Sequence, residues 1–325
     1  MLRDQLVETA PKIDPAQPPY RVMSMREIDA MPHNGLDIVS TFSGCGGSCL
    51  GFRMAGYRAL IACEFVEAAR DTYRANNPHT LIDPRDVREI TGAEILDAIG
   101  KDIGEIDVLE GSPPCSPFST AGKRHEGWGK ENIYSDTVQR ADDLFFEYAR
   151  LVDELRPKVF VAENVSGLVK GSAKGYFKMI LRALRDRGYR VEARLLNAQW
   201  LGVPQARERL IFVGVREDMK RDPVFPKPLP YRYTIRQAVP DMGADDLGWQ
   251  LAEHVPSAER ITTRTPVHKR KLREIELKRL ASFPDDFELT GTMIQRWERI
   301  GRSVPPRMMH AVASTIAREV FDARD

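Results

Sequence analysis

Short apolar runs alternate with amphipathic stretches from Leu36 to Arg216, and this alternation strongly limits the folds open to the chain. Runs rich in β-branched residues predict strands, whereas apolar residues three and four positions apart predict helices. The predicted strands are Leu36–Phe42, Ala59–Cys63, Ile106–Leu109, Val159–Ala162, Val191–Leu196 and Arg209–Val215. The predicted helices between them are Glu67–Asn76, Gly92–Ile99, Asp142–Leu155 and Lys174–Arg187. This order predicts an α/β fold with a doubly wound sheet, whose last two strands form an antiparallel pair at one edge.

Changes in composition and periodicity along the chain predict four regions. Residues 1–34 are Pro-rich and polar with one short helical candidate, Met23–Ala30, and we expect a surface extension. The α/β pattern occupies residues 35–216, and a Pro-rich, irregular region follows at residues 217–272. Two predicted helices, Arg273–Phe283 and Pro306–Phe321, lie in residues 273–325, and the second is expected to pack back on the α/β domain.

Composition excludes several classes of protein. The 325 residues carry a net charge of only +1, so any contact with nucleic acid depends on local clusters such as the basic stretch from Arg264 to Arg273. The four cysteines lack C-x-x-C spacing, which argues against structural zinc and predicts no metal site. No apolar run reaches the roughly 20 residues of a membrane span, and no signal-peptide core is present. We expect a cytoplasmic protein, monomeric and without an obligate protein partner.

A glycine-rich turn, Phe42-Ser43-Gly44-Cys45-Gly46-Gly47, follows the first predicted strand. Ligands of open α/β sheets bind at the carboxyl ends of the strands, and glycines permit close backbone approach. Glu64, at the end of the second predicted strand, can accept hydrogen bonds from both hydroxyls of a ribose. Because neither a dinucleotide motif nor a P-loop is present, a nucleoside without phosphates fits better, although a mere tight turn stays open.

Asp86 follows the next segment, in Asp83-Pro84-Arg85-Asp86-Val87. Its carboxylate could accept a hydrogen bond from the amino group of adenine. Alternatively, it caps a turn or a helix, as lone aspartates commonly do.

The segment from Gly111 to Ser119, Gly-Ser-Pro-Pro-Cys-Ser-Pro-Phe-Ser, places Cys115 behind two prolines at the end of an apolar run. Prolines fix φ, and a thiolate nucleophile needs a fixed angle of approach. The alternative is a proline-rich turn with an incidental cysteine, since lone cysteines commonly act as small core residues.

Charged residues near two later strands predict further members of the same site. Glu163 and Asn164 follow Val159–Ala162, so the carboxylate is expected on the same rim of the sheet as Cys115. Gln205-Ala206-Arg207-Glu208-Arg209 precedes the last predicted strand and offers two guanidiniums at positions i and i+2, on one side of an extended chain. A structural ion pair between glutamate and arginine stays open at this point.

Taken in order, these motifs resemble those of the DNA cytosine-5 methyltransferases of bacterial type. The resemblance covers about Asp37 to Arg216 and about Arg273 to Ala317. The motifs that carry it are Gly-Cys-Gly-Gly, Pro-Pro-Cys-x-x-Phe-Ser, Glu-Asn-Val, Gln-x-Arg-x-Arg and Gly-x-Ser-Val-Pro-Pro at Gly301–Pro306. The resemblance implies a Rossmann-like, S-adenosylmethionine-dependent methyltransferase sheet with a smaller, irregular target-recognition region.

The resemblance also implies roles for the individual residues. Cys115 attacks C6 of a cytosine flipped out of double-stranded DNA, Glu163 binds N3, and Arg207 and Arg209 hold O2 and orient Glu163. The cofactor, S-adenosylmethionine, lies against Phe42, Ser43, Gly44, Cys45, Gly46, Gly47, Glu64, Asp86 and Pro113, and Arg302, Ser303 and Val304 close its methionine side. Substrate contacts are expected at Ser119, Asn164 and Gln205, and Ser119 to Tyr134 resembles a loop that closes over the base.

The chain departs from the family pattern in two places. The region between Arg216 and Arg273 is short for a target-recognition domain, so either recognition is reduced or, as we expect, residues are missing from it. Arg302 replaces the asparagine usual in Gly-Asn-Ser-Val. We expect Arg302 to face solvent or a DNA phosphate; facing inward, it would suit transfer of a carboxymethyl group from carboxy-S-adenosylmethionine.

Two other functions are weighed against DNA methylation. A tRNA cytosine-5 methyltransferase would share nearly every motif, but the variable region lacks the Cys-Phe-Thr signature of that branch. A non-catalytic DNA-binding regulator would be expected to lose the nucleophile or the glutamate, and both are present. DNA methylation, in a restriction–modification system or by a solitary enzyme, is therefore the favoured function.

Overall fold

The computed structural model describes residues 17–114, 131–134, 137–140, 143–169, 173–241 and 272–322. A seven-stranded sheet forms its centre. Its strands are β1 Asp37–Thr41, β2 Arg58–Cys63, β3 Leu81–Asp83, β4 Val108–Gly111, β7 Val159–Val165, β8 Tyr189–Asn197 and β9 Glu208–Arg216. They are arranged in the order β3-β2-β1-β4-β7-β9-β8. A separate antiparallel hairpin consists of β5 Glu131–Tyr134 and β6 Thr137–Arg140.

All but two of the strands in the sheet are parallel. Strands β1, β2, β3, β4 and β7 are parallel, so their carboxyl ends meet at one rim. Strand β9 inserts antiparallel between β7 and the edge strand β8. The predicted doubly wound sheet and its antiparallel edge pair are therefore confirmed.

Helices cover both faces of the sheet. The helices are α1 Met25–Asp29, α2 Gly47–Met54, α3 Glu67–Asn76, α4 Gly92–Ile99, α5 Leu144–Leu155, α6 Ala173–Arg185, α7 Ile235–Ala238, α8 Glu274–Leu280, α9 Met293–Arg302 and α10 Pro306–Glu319. One core cluster joins α4, α5 and α6 to the sheet, and a second joins α2 and α10 to the opposite face. Helix α10 thus packs on α2 and on one face of the sheet.

A third core cluster lies outside the sheet and includes part of the N-terminal segment. Met25 and Ile28 of α1 pack with Leu50 of α2 and with Leu277 and Phe283 from the C-terminal part of the chain. The N-terminal segment is also hydrogen-bonded there, because the Tyr20 hydroxyl donates to the Arg279 carbonyl oxygen at 2.6 Å. This part of the N-terminal segment therefore joins the C-terminal helices to α2.

In the part of the chain that the structure describes, no helix has the length and apolar character needed to cross a membrane. Residues 242–271 lie outside the described part of the chain. They make up the second half of the irregular region at 217–272 and include most of the basic stretch that begins at Arg264.

Candidate active site

The predicted cofactor residues gather at the rim formed by the carboxyl ends of the parallel strands. The turn at residues 42–46 leads from β1 into α2, Glu64 follows β2, and Asp86 lies three residues beyond β3. Pro113 lies two residues beyond β4 at the same rim. Chain segments distant in sequence are thus brought to the edge at which open α/β sheets bind ligands.

The Glu64 carboxylate holds the glycine-rich turn. Its Oε2 accepts a hydrogen bond from the Gly44 backbone N–H at 2.6 Å, and its Oε1 accepts one from the Val66 N–H at 2.7 Å. Gly44 and Gly46 both adopt positive φ, at 55° and 92°, which glycine tolerates without strain. Burial raises the pKa of the Glu64 carboxyl, while the two backbone N–H groups counteract this shift. Since a carboxylate oxygen can accept two hydrogen bonds, both oxygens retain capacity for ribose hydroxyls.

Asp86 caps a short helix in the structure. Its carboxylate accepts a hydrogen bond from the Arg88 N–H at 3.0 Å, and its Oδ2 lies 3.1 Å from Nη1 of Arg88. The capping role left open by the sequence is therefore present, and the predicted contact with adenine remains a prediction.

Residues Ser303 and Val304 pack directly against the glycine-rich turn. Ser303 Oγ lies 3.5 Å from Cys45 Sγ. A Cβ atom placed on Gly47 would lie 2.2 Å from Ser303 Oγ and 2.5 Å from the Val304 carbonyl oxygen. Only a residue without a side chain allows this approach, so Gly47 joins the C-terminal segment to the predicted cofactor site.

Arg302 itself is directed toward the surface. Its side chain is 51% exposed, and Nη2 lies 2.6 Å from Glu298 Oε1, one helical turn earlier in α9. This placement favours the outward-facing interpretation and does not support the use of carboxy-S-adenosylmethionine.

The rim contains a close ion pair at the end of β7, where the sequence predicts catalytic residues. Glu163 lies in β7, opposite Ile211 of β9, and its side chain is only 11% exposed. Glu163 Oε1 lies 2.6 Å from Arg209 Nε, and Arg209 Nη1 donates to the Glu208 carbonyl oxygen at 2.8 Å. The carboxylate is thereby oriented by one fixed guanidinium.

Arg207 has different partners from those expected. Its Nη1 donates to the Gly301 carbonyl oxygen at 2.8 Å and its Nη2 to that of Arg302 at 3.2 Å. Burial, reinforced by the neighbouring charge of Arg209, lowers the pKa of the Arg207 guanidinium well below its usual range. Among the described residues the ion pair with Glu163 is made by Arg209. Arg207, directly ahead of β9, instead anchors the end of α9.

The segment before the predicted nucleophile is held at the same rim. Asn164 Nδ2 donates to the Pro113 carbonyl oxygen at 3.1 Å, which joins the end of β7 to the loop after β4. Tyr148 of α5 donates to the carbonyl oxygens of Leu109 and Val161, at 3.0 and 3.1 Å. Cys115 and Ser119 lie outside the described residues, as does most of the predicted closing loop, whose residues 131–134 form β5.

Gln205, predicted to contact the substrate, is buried ahead of β9, and its backbone N–H donates to the Val203 carbonyl oxygen at 2.8 Å. Its Oε1 is buried and has no hydrogen-bond partner within the described part of the chain. A buried acceptor without a partner costs free energy. The Gln205 Oε1 is thus free to accept a hydrogen bond from a bound molecule.

Sequence reasoning missed Glu110, which lies beneath the site. Its carboxylate, only 2% exposed, accepts hydrogen bonds from the hydroxyls of Ser40 in β1 and Ser48 in α2, the latter at 2.7 Å. Burial raises the pKa of Glu110 to about 7, and the negative charge of Glu163 contributes. The signal available in the sequence was a single acidic residue directly after the apolar run Ile106–Leu109.

Comparisons with known proteins identify the family of the chain. A family model described as C-5 cytosine-specific DNA methylase matches residues 36–269 and 245–318. The type II methyltransferase M.PspPI of Psychrobacter sp. is 29% identical over 90% of this chain and 81% of its own length. M1.HphI of Haemophilus parahaemolyticus is 28% identical over 87% of both chains, and M.MthTI of Methanothermobacter thermautotrophicus is 35% identical over 64% of this chain and 57% of its own.

Two solved structures share the fold. A protein of an E. coli prophage, described as a DNA modification methyltransferase, superposes with a TM-score of 0.72 at 21% identity, over 88% of this chain and 99% of that one. A mutant of Spodoptera frugiperda DNMT2 superposes with a TM-score of 0.62 at 16% identity, over the same shares. Both support the Rossmann-like class predicted for the sheet. Since the family model matches far more than half of the chain, the protein belongs to the C-5 cytosine-specific DNA methylases, which confirms the family and the enzyme class that the motifs predicted.

Proposed function

We propose that the protein transfers a methyl group from S-adenosylmethionine to C5 of a cytosine flipped out of double-stranded DNA, through a covalent bond between Cys115 and C6. The observation that carries the proposal is the Glu163–Arg209 ion pair of 2.6 Å at the carboxyl end of β7. The next residue, Asn164, donates to the Pro113 carbonyl oxygen, so the same strand end also holds the segment that leads into Cys115.

The residues at the glycine-rich turn fit the nucleoside part of S-adenosylmethionine. The Glu64 oxygens retain capacity for two ribose hydroxyls, and no charged phosphate-binding group is needed at the turn. Gly47 lets Ser303 and Val304 approach the turn, where they would enclose the methionine end of the cofactor. When bound, S-adenosylmethionine supplies an electrophilic methyl group on its sulfonium sulfur.

The protein's own residues act on the cytosine ring. The Cys115 thiolate adds to C6, and the electron pair displaced from the C5–C6 bond makes C5 nucleophilic. Glu163 shares a proton with N3, which stabilises the negative charge that develops on the ring, and Arg209 keeps the carboxylate in position. After C5 has been substituted, loss of the C5 proton breaks the C6–S bond and restores the thiolate.

The base has to leave the duplex for these contacts to form. Extrusion costs a few kcal/mol of lost stacking and pairing. We propose that residues around Ser119, with Asn164 and Gln205, hold the flipped nucleotide. The buried, unpartnered Oε1 of Gln205 supports this role, since it can accept a hydrogen bond from the cytosine amino group.

The proposal is tested by two measurements on the full chain. Bisulfite sequencing of DNA incubated with protein and S-adenosylmethionine identifies activity, base and target sequence together. In the presence of S-adenosylmethionine, DNA that contains 5-fluorocytosine should form a denaturation-resistant adduct with the wild type and none with Cys115→Ser, because the serine hydroxyl keeps the shape of the side chain but not its accessible anion. An adduct that persists in Cys115→Ser would show that another residue is the nucleophile.

A further inference from the structure

Glu110 is a buried carboxyl group that the proposed reaction does not use. The residue is only 2% exposed, and its two oxygens accept hydrogen bonds from the hydroxyls of Ser40 and Ser48. Within the described part of the chain, both partners are neutral and Glu110 forms no ion pair. A buried carboxyl group without a cation is costly to ionise, so its ionisation responds strongly to other charges nearby.

The strand register places Glu110 and Glu163 on the same face of the sheet. Glu110 of β4 lies beside Val161 of the parallel strand β7, and the preceding pair on that face, Val108 and Val159, belongs to the core cluster covered by α2 and α10. Because side chains alternate along a strand, Glu163, two residues beyond Val161, is on this face as well. With strands about 4.8 Å apart and a rise of about 3.3 Å per residue, the Cβ atoms of the two glutamates lie roughly 8 Å apart.

Neutral side chains and two arginines complete the surroundings of this pair. The neutral groups near Glu110 are Cys49 of α2, Tyr73 of α3 and Tyr148 of α5. Burial raises the pKa of the thiol to about 12 and the pKa of both phenols well above the ordinary value, so all three are uncharged at neutral pH. On the side of Glu163, Arg209 pairs with the carboxylate at 2.6 Å and the positive charge of Arg207 is nearby. Burial and the negative charge of Glu163 raise the pKa of the Glu110 carboxyl to about 7.

We propose that the Glu110 carboxylate acts through Glu163 by favouring the protonated form that binds N3 of cytosine, an inference that rests on the reaction proposed above. That reaction requires Glu163 to share a proton with N3, yet the Arg209 guanidinium favours the ionised form of Glu163. A second negative charge on the same face opposes this effect, because two neighbouring carboxyl groups do not both ionise readily. The pair therefore holds one proton up to a higher pH than Glu163 alone would. Glu110 is thus a positioning residue for the proton and lies beneath the reacting atoms.

The coupling between the two carboxyl groups is measured first, without DNA or cofactor. Carbon-13 NMR of protein labelled at the glutamate carboxyl carbon follows the titration of Glu110, which is identified by its midpoint near pH 7 and by its loss in Glu110→Gln. Coulomb's law at about 8 Å and an effective dielectric constant of about 20 gives a coupling of roughly 1.5 pH units. Glu163→Gln should therefore lower the midpoint of Glu110 by at least about one unit.

Glu105→Gln serves as the matched control for this titration. Glu105 is exposed and precedes β4 at the opposite end of the strand, where solvent and salt screen its charge. This variant should leave the midpoint of Glu110 unchanged. An unchanged midpoint in Glu163→Gln would overturn the inference, and this comparison decides even if Glu110→Gln does not fold.

The effect on the reaction is measured by single-turnover methylation at saturating cofactor over a range of pH. Loss of the proton from Glu163 sets the alkaline limb of the profile, and Glu110→Gln should move this limb to lower pH by about one unit. The glutamine amide can accept a hydrogen bond from one serine and donate to the other, so the packing around position 110 is retained. Ser48→Ala is the matched control, because it removes a hydrogen bond but keeps the charge of Glu110, and its alkaline limb should stay with that of the wild type.

Coincident alkaline limbs of Glu110→Gln and the wild type would overturn the inference. An equal shift in Ser48→Ala would do so as well, since it would show that packing and not charge acts on Glu163. Absence of cytosine methylation by the wild type at every pH would overturn the proposed function, and with it the role of Glu110 in the reaction. A loss of the coupling alone would leave the proposed function standing.

Discussion

Replacing Gly47 by alanine should weaken cofactor binding, because the added methyl group would occupy space taken by the C-terminal segment. Its Cβ would lie 2.2 Å from Ser303 Oγ and 2.5 Å from the Val304 carbonyl oxygen. The serine hydroxyl can rotate away, but the carbonyl belongs to the backbone, so the segment 303–304 has to shift. Overpacking of this kind costs about 1–3 kcal/mol. If the whole cost falls on the closed, cofactor-bound state, the affinity falls by roughly 5-fold to 150-fold.

Part of the cost can appear instead as lower stability of the free protein, so two measurements are needed. Isothermal titration with S-adenosylhomocysteine gives the change in affinity, and urea unfolding followed by circular dichroism gives the change in the free energy of unfolding. Gly175→Ala is the matched control, since its Cβ on the exposed side of α6 meets nothing within 4 Å. That variant should be unchanged or up to about 1 kcal/mol more stable, as alanine favours helix. If both quantities were the same in Gly47→Ala and the wild type, the close packing of 303–304 on the turn would be refuted.

Three further substitutions separate the roles at the rim. Glu163→Gln should lower the methylation rate by about 10²–10⁴-fold in a single-turnover assay and leave the affinity for S-adenosylhomocysteine nearly unchanged; the reverse result would exchange the roles assigned to Glu163 and Glu64. Arg207→Met should lower both the free energy of unfolding and cofactor affinity, because two carbonyl oxygens at the end of α9 lose their donors. Lost turnover with both quantities unchanged would instead support its predicted role at O2 of cytosine. For Glu110, the pKa of about 7 in the folded protein lies above the ordinary value of 4.5. The protonated carboxyl therefore favours the folded state fully below about pH 4.5, and this stabilisation is lost as the pH rises to about 7. Urea unfolding from pH 4.5 to 8 should therefore show wild-type stability falling by up to about 3 kcal/mol relative to Glu110→Gln; parallel pH profiles would contradict this.

The sheet and its helices could be predicted because the spacing of apolar residues agrees with the capping residues at the helix ends. The predicted bounds of α3 and α4 match the structure, and α4 begins at a capping box of Thr91 and Glu94 and ends at Gly100 with φ of 64°. Strand β3, Leu81–Asp83, was missed because Leu81 is exposed, the other two residues are only partly buried, and the segment is too short to show an apolar run. Helix α9 was missed because its first residues are exposed and its charged residues interrupt the apolar pattern, although Thr292 and Gln295 form a capping box before it.

The positions of the site residues could be predicted more reliably than their partners. Strand ends correctly placed Glu64 and Glu163 at one rim, since parallel strands share a direction. The two arginines were expected on one side of an extended chain, yet β9 begins at Glu208, so the alternation of a strand does not extend to Arg207. Arg207 instead contacts residues 94 and 95 positions later, a contact that no local pattern contains.

The same contact implies that the two halves of the site depend on each other. Arg209 holds Glu163, while Arg207, two residues earlier, holds the carbonyl oxygens of Gly301 and Arg302. The next residue, Ser303, packs on the glycine-rich turn that Glu64 holds from the other side. A displacement of the turn can therefore reach the start of β9 through a few direct contacts, without a change in the sheet itself. If the proposed function is correct, substitutions at the glycine-rich turn should lower cofactor affinity and also the rate of methyl transfer at saturating cofactor, although Cys115 and Glu163 are unchanged. The reason is that residues 301–303, which pack on the turn, are anchored by Arg207 next to β9, whose Arg209 orients Glu163.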